Sequence, residues 1–416
     1  MSRLSLEGGH VLNGTVKVSG AKNAALPILA GTILVEGDSL IENVPNLLDI
    51  STMIKMLNSL DVVAEPYPDK NILKIRNNRK IRHIAPYDLV TAMRASFFVA
   101  GPILARTGYA KVPMPGGCSI GSRPIDIHLT GFKAMGAEVR MEHGFVELKC
   151  PKLKGVRMHL DFPSVGATEN IMMAACLADG QTVIENAARE PEIDDLANYL
   201  NRAGAQISGI GTSVIVVNGV KRLTGCTHRV IPDRIEAATL LIAGPITGGR
   251  VTVEGAIFSH LEPVVMKLRE AGCEVIVEND TTITAAFNGP LKAVNFDTMP
   301  FPGFPTDAQA QMMTLLTVSA GTSVVEETIF ENRFMHAEEL KRMGANIKTN
   351  GHTAIVTGVP RLSGAEVKIT DLRAGAALIL AGLNAEGITT VHGMNHLKRG
   401  YENLPEKLTS LGAKIL

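Results

Sequence analysis

The chain has no tryptophan, few other aromatic residues and no excess of either charge, with 41 lysines and arginines against 41 aspartates and glutamates. That balance argues against a nucleic-acid or membrane-surface protein, and any anion site must come from local clustering of basic residues. No uninterrupted apolar run reaches the roughly 18 residues needed to cross a bilayer. The N-terminal stretch Met1 to Gly8 has no apolar h-region. A soluble protein without a Sec-type signal is expected. The five cysteines are odd in number and include no Cys-x-x-Cys pair, which fits a reducing cytoplasm; Cys176 and Cys273 read as core residues. There is no Walker A sequence, no Gly-x-Gly-x-x-Gly following a strand, and no His-Glu-x-x-His. His392 and His396 stand four apart only in a glycine-containing stretch, so neither metal nor cofactor is expected.

What the chain does have is a repeat. A hydrophobic-Gly-Ala-x-hydrophobic phrase recurs at Gly136-Ala137, Gly204-Ala205, Gly272-Cys273, Gly344-Ala345 and Gly412-Ala413, at intervals of 68, 68, 72 and 68 residues. A degenerate copy sits at Leu60-Asp61-Val62-Val63. Six units therefore fill the 416 residues, with a period too long for ankyrin or tetratricopeptide arrays. Each unit reads strand, apolar helix, strand, amphipathic helix, glycine phrase and strand pair, the glycine being the residue expected just past a helix end. The first helix of each unit is apolar or small all round, as in Ala237 to Ala243, and must be buried on every side. Three such helices inside a shell of sheets make one domain, so six units predict two similar α/β domains.

The sixth unit lacks its closing strand, and the stretch Leu4 to Glu7 is placed to supply it. One domain then spans 20–229 and the other combines 1–19 with 230–416. Two chain crossings form a hinge, and the cleft between domains is the expected ligand site.

Two kinds of residue invite a chemical reading. Between Pro115 and Asp126, Cys118 sits among Gly116, Gly117 and Gly121 with Arg123 behind it; this is either a reactive loop or a glycine-rich turn with an incidental thiol. Only four residues separate Cys118 from Arg123, so the Cys-x5-Arg phosphatase geometry is excluded. Basic residues recur at strand-to-helix junctions: Lys22, Arg94, Arg234 and Arg373 before first helices, Arg123, Arg333 and Arg399 at second ones. Singly these read as surface charges; as a recurring set beside helix N-termini they read as an anion site. Asp307 alone reads as an N-cap or first-turn acid.

The segments Ser19 to Pro27, Met93-Arg94-Ala95-Ser96, Pro115 to Asp126, Ser164 to Thr168, Glu185 to Glu192, Phe304 to Asp307, Phe330 to Phe334, Asp371 to Ala374 and Arg399 to Glu402 together carry a resemblance to the UDP-N-acetylglucosamine enolpyruvyl transferases, also called 1-carboxyvinyltransferases. It covers essentially the whole chain. The related shikimate 3-phosphate enzymes have Gly-Ser-Lys-Ser near the first lysine and lack the cysteine loop. The resemblance implies a pair of inside-out α/β barrels. It implies transfer of the enolpyruvyl group of phosphoenolpyruvate to the 3′-hydroxyl of UDP-N-acetylglucosamine, the first committed step of peptidoglycan synthesis, and with it a role in cell-wall biogenesis, cell shape and division and sensitivity to fosfomycin.

By the same resemblance Cys118 is the proton donor, Asp307 the candidate general base and Lys22 a third catalytic residue, and Lys22, Asn23, Arg123 and Arg399 are the phosphoenolpyruvate ligands. Arg94, Arg123, Pro124, Ile125, Asp126, Ile127, Ser164, Val165, Gly166, Asp307 and Ile329 meet the nucleotide sugar, supported by Arg333, Asp371 and Arg373. One departure stands out: where some members carry lysine two positions before Ser-Val-Gly, this chain has Phe162 followed by Pro163, and that contact is not carried over. A catalytically silent nucleotide-binding repeat protein and a phosphoenolpyruvate transferase with a different acceptor are the competing readings.

Overall fold

The phrase that ends each second helix does so through backbone geometry. In the computed structural model, which describes residues 3–77, 80–115 and 125–416, Gly136, Gly204, Gly272, Gly344 and Gly412 have φ of 96°, 105°, 89°, 90° and 110°. A left-handed residue turns the chain out of the helix toward the next strand, and glycine adopts it without a Cβ penalty. The degenerate first copy obeys the same rule. Asp61 takes φ 65° there, and aspartate is among the few side chains that tolerate this region.

The described residues divide into two compact units: a discontinuous one of residues 3–19 and 232–416, and a continuous one of residues 20–115 and 125–231. Each holds three sheets around its own apolar core. The core helices of the continuous unit are the first, Lys22–Gly31, the second, Ala100–Thr107, and the third, Val165–Ala175. Those of the discontinuous unit are the fourth, Arg234–Ile246, the fifth, Thr306–Leu316, and the sixth, Leu372–Asn384.

Helices four, five and six pack against one another in pairs, so no face is left for solvent. In the fourth, every residue from Ile235 to Ile246 is buried, and each fully buried leucine or isoleucine there contributes about 1.5–3 kcal/mol. The second helices behave as amphipathic sequences should. In Glu262–Glu270 the residues Val264, Val265 and Leu268 face inward while Met266 is 61% exposed. Cys176 and Cys273 are both buried, and burial pushes each thiol up to about 12.

One core helix departs from the pattern. In the second repeat no single helix runs through Ser96 to Ala100: a 3-10 turn covers Arg94–Val99 and the α-helix starts only at Ala100. That start puts Pro102 in the first turn, where its missing N–H has no intrahelical partner to lose.

The sheet of the sixth repeat takes its third strand from the other end of the chain. Arg3–Glu7 pairs antiparallel with Ile388–His392, Arg3 opposite His392, and on its other edge with Lys414–Ile415, Leu6 opposite Ile415. In the fifth repeat the same place is filled by the local strand Thr353–Thr357. Among the described residues no helix is long and apolar enough to cross a membrane.

Candidate active site

The core helices of the continuous unit begin at residues that the sequence singles out, and they begin differently. The third is capped by Ser164, whose Oγ accepts from Ala167 N at 3.3 Å, with Val165 and Gly166 in its first turn. Just upstream, Phe162 is 44% exposed. The first helix opens with Lys22 and Asn23 behind Ala21, which supplies no side-chain cap, so the positive end of its dipole favours an anion there. Lys22 Nζ lies 3.2 Å from Asp49 Oδ2, their side chains 13% and 6% exposed. A lysine this buried needs an opposite charge. Asp49, in the first turn of Leu48–Ser59, provides it and fixes where the ammonium points.

Arg94 opens the 3-10 turn. Burial, and secondarily the Arg94 charge, push His128 down to about 4, which leaves a neutral imidazole at pH 7. Asn170 sets its orientation: one Nδ2 reaches His128 Nδ1 at 3.2 Å and Phe97 O at 3.0 Å, while Oδ1 accepts from Gly101 N at 2.8 Å. Because an amide nitrogen only donates, Nδ1 is the acceptor. Gly166 lies against the same group, where a Cβ would come within 3.3 Å of Phe98 and 3.4 Å of His128. Ile125 is buried, Asp126 is the exposed first residue of Asp126–Ala134, and Ile127 is partly buried. Cys118, Arg123 and Pro124 lie outside the described residues.

In the discontinuous unit the structure gathers Asp307, Arg333 and Arg373. Asp307 is a first-turn residue of the fifth core helix rather than its cap, which is Pro305. Its Oδ1 accepts from Arg333 Nη2 and its Oδ2 from Arg373 Nη2, each at 2.8 Å. The two arginines are 4% and 3% exposed, and Asp307 is 26% exposed, so the carboxylate is the group that looks outward from the cluster. Asp371 acts on the backbone: as N-cap of the sixth core helix its Oδ1 accepts from Arg373 N at 2.9 Å and Ala374 N at 3.2 Å. Burial works against the Arg373 charge, and Asp307 followed by Tyr401 and Asp233 outweighs it, holding its pKa above the ordinary guanidinium value.

Behind the arginines runs a polar network that pattern reading misses. Gln311 Nε2 lies within hydrogen-bond distance of Asp307 O at 3.0 Å, Thr239 Oγ1 at 3.2 Å and Tyr401 Oη at 2.9 Å, and shares its two hydrogens among them. The Arg373 guanidinium lies 5.5 Å from the centre of the Tyr401 ring. Arg399, two residues before that tyrosine, follows the turn Met394–Leu397 and is partly buried.

Ile329 sits on a second missed residue, Glu327, which is 0% exposed. Its carboxylate accepts from Thr298 Oγ1, Thr306 Oγ1, Ile329 N and Phe330 N at 2.9–3.2 Å. That ties the start of the fifth core helix to the loop carrying Ile329. A signal was present: the residue after the corresponding strand is Asn43, Asn186, Gly255 or Gly393, all left-handed, in four other repeats. Glu327 alone breaks that series with a charge. Among the described residues no group of three or more His, Cys, Asp or Glu stands placed to hold a metal ion.

Residues 6–408 match the family model described as EPSP synthase (3-phosphoshikimate 1-carboxyvinyltransferase). The chain is 56% identical to UDP-N-acetylglucosamine 1-carboxyvinyltransferase 2 of Carboxydothermus hydrogenoformans, over 100% of this chain and 99% of the relative. It is 54% identical to UDP-N-acetylglucosamine 1-carboxyvinyltransferase 1 of Caldanaerobacter subterraneus, with the same coverage. Among solved structures, the enolpyruvyl transferase NikO from Streptomyces tendae matches with a TM-score of 0.90 at 25% identity, covering 100% of this chain and 98% of that one. EPSP synthase from Acinetobacter baumannii matches at 0.78 and 20% identity, over 100% and 99%, a likeness of fold alone.

Proposed function

We infer function from one premise: the chain belongs to the EPSP synthase (3-phosphoshikimate 1-carboxyvinyltransferase) family and has the enolpyruvyl transferase fold. Its reaction, in this reading, is transfer of the enolpyruvyl group of phosphoenolpyruvate to the 3′-hydroxyl of UDP-N-acetylglucosamine with release of phosphate. The observation that carries it is full-length identity of more than half to relatives named for that nucleotide sugar. The reaction is the first committed step of peptidoglycan synthesis, in the cytoplasm, with neither metal nor cofactor.

The chemistry needs one acid and one base. Cys118 gives a proton to C3 of phosphoenolpyruvate while C2 accepts the sugar oxygen, whose proton passes to Asp307. The resulting tetrahedral adduct then returns a proton from C3 to the Cys118 thiolate as the bond from C2 to the phosphate oxygen breaks. Lys22, Asn23, Arg123 and Arg399 hold the phosphate and carboxylate, and their positive charge stabilises the departing phosphate. The uncapped start of the first core helix beside Lys22 supports that role. Arg94, Arg123, Pro124, Ile125, Asp126, Ile127, Ser164, Val165, Gly166, Asp307 and Ile329 meet the nucleotide sugar. Asp371 supports Arg373 through the helix cap. Both Asp307 oxygens accept charge-assisted bonds that fix the carboxylate, and each keeps a lone pair with which the outward-facing group takes the sugar proton. The cysteine loop belongs to a domain of residues 20–229, and residues 1–19 with 230–416 form the second.

Phosphate release tests this reading. It should require phosphoenolpyruvate and UDP-N-acetylglucosamine together and fail when either is omitted. Release with shikimate 3-phosphate in place of the nucleotide sugar would mean a different acceptor, and binding of the sugar without release would mean a silent binding protein.

A further inference from the structure

The two units treat the carbonyl ends of their core helices differently. In the continuous unit Arg106, in the last turn of the second core helix, donates from Nη1 to Ile33 O at 3.0 Å and Val35 O at 3.4 Å. A guanidinium thus closes a region where helix dipoles present negative charge. The side chain is 16% exposed, with Glu36 at 3.6 Å.

The repeat identifies the matching position in the discontinuous unit. Arg106 stands two residues before Gly108, φ 75°, which leads into the strand Tyr109–Pro113; in the fifth repeat Gly321, φ 111°, leads into Thr322–Glu326, and the residue two before it is Ser319. Ile33, the acceptor, stands two residues before the strand that starts at Val35. Its counterpart, two before the strand Arg250–Glu254, is Gly248.

Ser319 and Gly248 both line a cavity of about 500 Å³, together with Ile246, Val318, Val359 and Asn384. That volume falls within the range of small-molecule sites. The last residues of the fourth and sixth core helices, Ile246 and Asn384, meet there with Val318 just past the end of the fifth. Three helix C-termini, each equivalent to roughly −0.5 elementary charge, therefore surround apolar walls. No charged side chain among the described residues lines the cavity. Asn384 Nδ2 donates to Ile246 O at 2.7 Å, and its Oδ1 has no hydrogen-bond partner among the described residues. The cavity thus combines the negative field that Arg106 answers in the continuous unit with space where the arginine side chain would lie.

We propose that this cavity binds a small organic cation, an alkylguanidinium or alkylammonium, whose head group does what the Arg106 guanidinium does in the other unit. The apolar walls take the alkyl stem and the helix ends take the charge. This does not depend on the enolpyruvyl reading, since the readout is binding.

The test titrates the full chain with n-butylguanidinium and with its neutral isostere n-butylurea, following the methyl resonances of Ile246, Val318 and Val359. The guanidinium should shift them saturably with a dissociation constant on the order of 1 mM, and the urea should bind at least about tenfold more weakly, the charge preference expected of this field. Ser319→Arg should place the chain's own guanidinium in the cavity and abolish the shifts, with turnover unchanged. Equal response to both compounds, shifts confined to other methyls, or undiminished binding in Ser319→Arg overturns the proposal. Should Ser319→Arg fail to fold, intermolecular Overhauser contacts from the butyl chain to the Val318 and Val359 methyls of the native protein decide the matter: their presence supports the site and their absence overturns it.

Discussion

Arg333 and Arg373 divide Asp307 between them, each donating from Nη2 to a different carboxylate oxygen at 2.8 Å. Asparagine at this position would turn one oxygen into an N–H donor facing a guanidinium and remove the carboxylate that the two buried cations share. Asp307→Asn should therefore lose about 2–4 kcal/mol of stability, toward the low side for a broken buried pair because Asp307 keeps part of its exposure. At temperatures where it stays folded, kcat should fall about 10²- to 10⁴-fold from loss of the base. Denaturant unfolding and steady-state kinetics separate the two effects. A variant that turns over within a few-fold of native would remove Asp307 from the chemistry.

The Lys22–Asp49 pair leads to a second expectation. Asp49 holds the Lys22 ammonium at 3.2 Å, so on the proposed reading, in which Lys22 holds phosphoenolpyruvate, its charge matters to that substrate. Asp49→Asn should raise KM for phosphoenolpyruvate by roughly tenfold while KM for UDP-N-acetylglucosamine stays near native, the signature of a lost ground-state interaction at one substrate. Equal changes in both constants would make Asp49 a structural residue only.

His336 gives a pH dependence. Burial pushes its pKa down to about 4, Asp371 opposing and Arg333 reinforcing the shift, against about 6.5 in an unfolded chain. The unfolded state then takes up a proton that the folded state refuses. Stability from this group is fully present above pH 6.5 and is lost as pH falls toward about 4, a change on the order of 3 kcal/mol. Glu236 runs the other way, since burial pushes it up to about 7 against the pull of Lys407. Comparison of native protein with His336→Leu cancels Glu236, and the stability difference between them should change by that amount across the window. A pH-independent difference would contradict the shift.

Much of this architecture was legible in the sequence because it rests on short-range rules. The glycine phrase marked helix ends through a single backbone conformation, and the all-apolar helices Ala237 to Ala243 and Ile171 to Ala175 could be nowhere but the core. The break in the second core helix was not legible, because the register of Pro102 follows from where the 3-10 turn ends. In the site, Asp307, Arg333 and Arg373 were named, but the pairing of one carboxylate with both arginines was not. Asp49 reaches Lys22 across 27 positions, and Gln311 and Tyr401 meet only when different repeats pack, so no local pattern announces them. Glu327 was the exception, visible as the one charged break in a series of left-handed residues.

The central claim is addition of the sugar hydroxyl and a proton across the double bond of phosphoenolpyruvate, followed by elimination of phosphate. Its most direct test is the product formed in D2O. The account predicts 3′-O-enolpyruvyl UDP-N-acetylglucosamine with deuterium at the vinyl carbon, because C3 becomes a methyl group in the adduct and then loses any one of its three hydrogens. Product with an unlabelled vinyl group, or pyruvate and phosphate with the sugar untouched, would contradict it.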